Sequence, residues 1–92
     1  MATAHYVLID AYSGFVWEEA DATDPIEACR IVDEKVGGEA RSYEREHLHG
    51  QNGYYVYEAP ADWTPVEDGQ SQSEIERVQA LPLVAQVAFR TI

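Results

Sequence analysis

Asp24-Pro25-Ile26-Glu27 places three helix-start signals on four consecutive residues: an N-cap Asp, Pro at the first helical position, and Glu reaching back as in a capping box. Downstream, Ile26, Cys29, Val32 and Val36 recur at helical spacing and form one apolar stripe, and Gly37-Gly38 supplies a left-handed exit. The spacing predicts a helix from about Pro25 to Val36.

Strand signals lie on both sides of it. Tyr6 to Ala11 is β-rich and Phe15-Val16-Trp17 resumes after Ser13-Gly14, which predicts a hairpin with Tyr6, Leu8, Phe15 and Trp17 on sheet faces. A second hairpin is expected from the charged run Ala40 to Glu46 and the aromatic run Gly53 to Ala59, joined across residues 47–52. Residues 61–72 hold Pro, Gly, Asp, Ser and Gln around Trp63 and Val66, and read as a mobile surface loop. Ser73-Glu74-Ile75-Glu76 reads as another capping box, opening a short helix that ends near Leu81 because Pro82 follows. Leu83 to Ile92 alternates as a final strand. The pattern is α+β in the order β-β-α-β-β-α-β: a mostly antiparallel sheet of about five strands with two helices packed on one face. At 92 residues the chain is one domain, 1–92.

Charge limits what such a domain can bind. Seventeen Asp and Glu stand against six Lys and Arg, a formal net charge of -11. A surface of this sign repels phosphate, which argues against direct nucleic-acid binding and against docking on an anionic membrane, and favours a basic protein partner. No apolar run approaches the ~18 residues of a membrane span. Cys29 is the single cysteine, so no intramolecular disulfide forms, and the first residues carry no signal-peptide pattern; the expected location is the cytoplasm.

Motifs for catalysis are lacking: no Gly-x-Ser-x-Gly, no phosphate-binding glycine loop, no His-Glu-x-x-His. We therefore expect no enzyme, no cofactor and no metal. Cys29 falls on the apolar stripe, where a buried thiol is inert. His47 and His49, with Glu46, resemble a chelating set only weakly and read as a solvated loop. Glu18 and Glu19 are consecutive strand residues, which point to opposite faces and cannot share an acid-base site. Tyr54, Tyr55 and Tyr57 form an aromatic strip, but residues 47–76 contain no Lys or Arg to follow a nucleic-acid backbone. Tyr55 and Tyr57 share one strand face and are candidates for a protein interface.

The acidic residues concentrate in two stretches, one containing Glu18, Glu19, Asp21, Asp24 and Glu27, the other Glu67 and Asp68. Asp24 and Glu27 also have a local use as helix caps. Carboxylates spread over a rigid sheet and helix can occupy a basic channel built for DNA. A small, strongly acidic α+β chain of this kind, with the Tyr6 to Trp17 hairpin feeding the Asp24-Pro25-Ile26-Glu27 helix, resembles the phage-encoded anti-CRISPR proteins in type. That resemblance implies a stoichiometric inhibitor, monomeric or homodimeric, that covers the DNA-binding surface of a CRISPR effector in a bacterial cell. The partner-binding candidates are Glu18, Glu19, Asp21, Asp24, Glu27, Tyr55, Tyr57, Glu67 and Asp68. The alternative expectation is a homo-oligomeric structural or assembly protein that associates through its tyrosine-rich strand.

Overall fold

The computed structural model describes residues 2–38, 41–50 and 52–92. The elements are β1 (Ala4–Asp10), β2 (Val16–Ala22), α1 (Pro25–Lys35), β3 (Arg41–Arg45), β4 (Gly53–Ala59), α2 (Gln72–Gln79) and β5 (Leu83–Thr91). The strands form one antiparallel five-stranded sheet in the order β2-β1-β4-β5-β3. The α+β class and the element order are those predicted from the sequence; Ala40, the expected start of the third strand, lies outside the described residues.

Helix α1 starts where its signals place it. Asp24 is extended, and its Oδ1 accepts a bond from the Glu27 N–H at 2.9 Å. Glu27 Oε1 in turn accepts from the Thr23 N–H at 2.9 Å, one residue before the cap. Gly37, at φ 73, provides the left-handed exit that a residue with a Cβ adopts only under strain. Cys29 and Val32 on the buried face of α1 pack with Leu8, Val56 and Val87, with Ile26 and Phe89 at the margin. Burial, aided by the nearby charges of Asp33 and Asp24, pushes the Cys29 thiol up to about 12, so it stays protonated in the core.

Several expectations need correction. First, β3 and β4 are not a hairpin, because β5 lies between them. Strand β4 buries Tyr54 and Val56 on one face and Tyr57 and Ala59 on the other, so it belongs in the middle of the sheet. Strand β3 exposes Ser42, Glu44 and Arg45 and suits an edge. Second, the helices lie on opposite faces. Tyr6 and Leu8 of β1 point to α1, whereas Val7 and Ile9 pack with Ile75 and Val78 of α2. Two apolar sheet faces require two covers.

The 61–72 segment, read as a surface loop, makes specific contacts with the sheet. The Val16 N–H donates to Gly69 O at 2.9 Å, and Trp63 and Val66 pack into the second core. Helix α2 then begins at Gln72 behind Ser71, earlier than the Ser73 box; Glu74 instead accepts bonds from the Glu67 N–H at 3.3 Å and from Arg77. One bulge shapes the first hairpin: Leu8 faces Glu18 while Ile9 faces Val16, so Trp17 is an extra residue on β2. The bulge turns Trp17 outward, and neither it nor Phe15 lines the core.

Candidate protein-binding surface

The functional geometry centres on β2, an edge strand, and on the 60–70 segment lying beside it. Glu19 is the residue that joins them. Its Oε1 accepts from the Trp63 indole N–H at 3.2 Å and its Oε2 from the Val66 N–H at 2.8 Å. The His5 ring meets Glu19 through Nε2 at 2.6 Å and Asp21 through Nδ1 at 2.8 Å. An imidazole donates from both nitrogens only when protonated, so this bridge is an imidazolium between two carboxylates. Partial burial opposes that charge, but the hydrogen bonds and negative charges of Glu19 and Asp21 outweigh it and hold the His5 pKa above its ordinary value.

The folded protein therefore binds a proton at His5 more tightly than the unfolded chain does, and the stability this contributes is full below the unfolded pKa of about 6.5. It is lost as pH rises through the folded value. Urea unfolding of the wild type should accordingly show a stability decrease that begins near the unfolded value of about 6.5, continues as pH rises through the raised folded value, and is absent in His5→Gln. An identical decrease in both proteins would show that His5 is not its source.

Among the described residues no three His, Cys, Asp or Glu side chains gather to hold a metal ion. The carboxylates on His5 meet opposite ring nitrogens and do not converge on one point. His47 and His49 contact each other edge to face, with ring centroids 4.8 Å apart.

The other candidates divide between internal and external roles. Asp24 and Glu27 are engaged in capping α1. Glu19 is engaged internally, with its side chain only 11% exposed. Tyr57 is buried and Tyr55 partly buried against the α2 face, so the tyrosine strip is core rather than surface. Glu18 is half-exposed 3.7 Å from Lys35 Nζ, while Asp21, Glu67 and Asp68 are exposed. These last four border the β2 edge from both sides of the sheet: Glu67 and Asp68 adjoin its Val16 end through the Gly69 anchor, Glu18 lies on the α1 face beside Lys35, and Asp21 lies near the other end on the opposite face, bonded to His5.

Sequence reasoning missed the exposed aromatics at the hairpin end, Tyr12, Phe15 and Trp17. Asp10 and the 67–70 segment border Phe15 and Trp17 across an open groove. The bulge that exposes Trp17 leaves no mark in the residue pattern; only the turn-forming Ser13-Gly14 hinted that Tyr12 would be at a tip.

Among the described residues, four of the six Lys and Arg stand in ion pairs: Lys35 with Glu18 of β2, Arg41 with Asp33, Arg77 with Glu74 and Arg90 with Glu46. Comparison of the chain with protein-family models, curated proteins and solved structures gave no match.

Proposed function

We propose that this chain is a non-enzymatic binding protein that docks its acidic β2 edge on a basic, nucleic-acid-binding surface of another protein and so keeps nucleic acid away. The observation that carries this reading is the acidic rim of the β2 edge in a chain of net charge -11: Glu67 and Asp68 stand exposed beside its Val16 end, and Glu18 and Asp21 lie on the strand, shared with Lys35 and His5 respectively. Strand β2 extends about 20 Å, over which a duplex presents about 12 charges. The carboxylates are sparser than phosphates, so the match to a basic surface is one of sign and long-range attraction, not a charge-by-charge copy of DNA. On this reading the chain is a stoichiometric inhibitor of the anti-CRISPR type that its size and charge resemble. Oligomerisation through the tyrosine strand is less well supported, because β4 is central and Tyr57 is buried.

The test is capture from a bacterial lysate on immobilised protein, at low and raised salt, with and without excess duplex DNA. Captured proteins should be basic nucleic-acid binders, released by both DNA and salt. Glu18→Lys combined with Asp21→Lys, or Glu67→Lys combined with Asp68→Lys, should weaken capture about tenfold or more, chiefly through slower association. Capture indifferent to DNA, to salt and to both reversals would refute the reading.

A further inference from the structure

We propose that the groove between the β1–β2 hairpin and the 67–70 segment receives an arginine side chain from an extended basic segment of the partner. This rests on the acidic-docking reading above and gives it a point of attachment.

The groove joins two aromatic side chains, Phe15 (40% exposed) and Trp17 (48% exposed), to the carboxylates Asp10, Glu67 and Asp68. No Lys or Arg is among its described lining residues, and Arg41 reaches only a smaller neighbouring cavity that shares Asp10 and Trp17 with the groove. Elsewhere the protein fills the same combination with its own arginines. Arg77 lies 4.0 Å over the Trp63 ring while Glu74 takes its guanidinium in a fork, Nε to Oε1 at 3.2 Å and Nη2 to Oε2 at 2.9 Å. Arg41 lies 4.1 Å over Phe89 while bonding Asp33 at 3.2 Å. A planar guanidinium stacks on an aromatic face and donates in its own plane to a carboxylate, a combination that a lysine ammonium meets only in part.

The groove's carboxylates already make local bonds. Asp10 braces its own turn, accepting from the Ser13 N–H at 3.2 Å and the Ser13 hydroxyl at 2.9 Å, and one oxygen of Asp68 accepts from the Gln70 N–H at 3.0 Å. Glu67 stands exposed beside them. Charge also selects the occupant. A second copy, itself at -11, would bring carboxylates against carboxylates, and a nucleic acid would bring phosphates.

The experiment is an NMR titration of the labelled protein with a short oligo-arginine peptide and, separately, an oligo-lysine peptide of equal length. The arginine peptide should shift the Trp17 indole, Phe15 and residues 67–69, and bind severalfold more tightly than the lysine peptide. Trp17→Ala, and separately Glu67→Gln with Asp68→Asn, should each weaken arginine-peptide binding about tenfold. Shifts confined to Glu18 and Asp21, or equal binding of both peptides that Trp17→Ala leaves unchanged, would overturn the groove while leaving charge-led docking intact. Failure of both peptides to bind would overturn both. Concentration-dependent self-association that moves the same resonances without peptide would assign the groove to a second copy and also overturn the proposal.

Discussion

Replacing Asp33 by alanine should lower the thermal unfolding midpoint by about 12 to 24 °C, equivalent to about 3 kcal/mol in a domain of this size. Asp33 is 4% exposed, yet it is fully engaged. The Tyr54 hydroxyl donates to its Oδ1 at 2.7 Å, the Tyr43 hydroxyl donates to its Oδ2, and Arg41 reaches the same oxygen at 3.2 Å. Asp33 belongs to α1 and its partners to β3 and β4, so one carboxylate ties the helix to an edge strand and to the sheet centre. Alanine would leave the Arg41 charge and two hydroxyls without their acceptor, and the cost comes from those orphaned groups more than from the lost attraction. Tyr54→Phe removes one donor and leaves the pair intact, so it should cost only about 1 to 1.5 kcal/mol. Calorimetry of the two variants checks this; an Asp33→Ala protein no less stable than Tyr54→Phe would show the network to be unimportant.

The same network makes a statement about alkaline pH. Burial, then the hydrogen bond to Asp33 and its charge, raises the pKa of both Tyr43 and Tyr54. Both phenols are held protonated in the fold, so their contribution is full below the unfolded value of about 10 and is lost as pH climbs beyond it.

Gly69→Ala should be the second most damaging of these changes, costing about 2 kcal/mol or about 8 to 16 °C. A Cβ at this position would stand 2.2 Å from the Val16 carbonyl oxygen, a backbone atom that cannot rotate away. The segment must move, and with it the bond from the Val16 N–H to Gly69 O and the placement of Glu67 and Asp68. Hydrogen exchange reads this directly: the Val16 amide, and the Val66 amide bound to Glu19, should lose protection relative to the β4–β5 ladder. Retained protection at both amides would mean that the anchor is not Gly69. A segment fastened in this way keeps two of the acidic side chains in fixed register with the β2 edge, as pre-organised docking requires.

What was legible in the sequence is what depends on near neighbours. The α1 start lies in four residues because capping is a matter of bonds between Asp24, Glu27 and the intervening backbone. The Cys29 and Val32 stripe follows from helical geometry alone, and the net charge is a sum that folding does not alter. The two-sided burial of β1 and β4 was also present in the uninterrupted runs Tyr6 to Ile9 and Tyr54 to Tyr57, and these runs already argue for covers on both faces.

Tertiary structure decided the rest. Whether Gly53–Ala59 pairs with its sequence neighbour or with β1 and β5 depends on which strands supply apolar surface to both its sides, a competition no local pattern records. Glu18 and Glu19 are adjacent in sequence and equal in charge. One stands half-exposed beside Lys35, and the other is enclosed by His5, Trp63 and the Val66 amide from a segment more than forty residues away. Trp17 is outward because a single extra residue in β2 shifts the strand phase, and Tyr57 is inward because α2 covers a second face. Composition determined the sign of the surface and local pattern the elements; only long-range packing determined which carboxylates and aromatics remain outside to meet a partner.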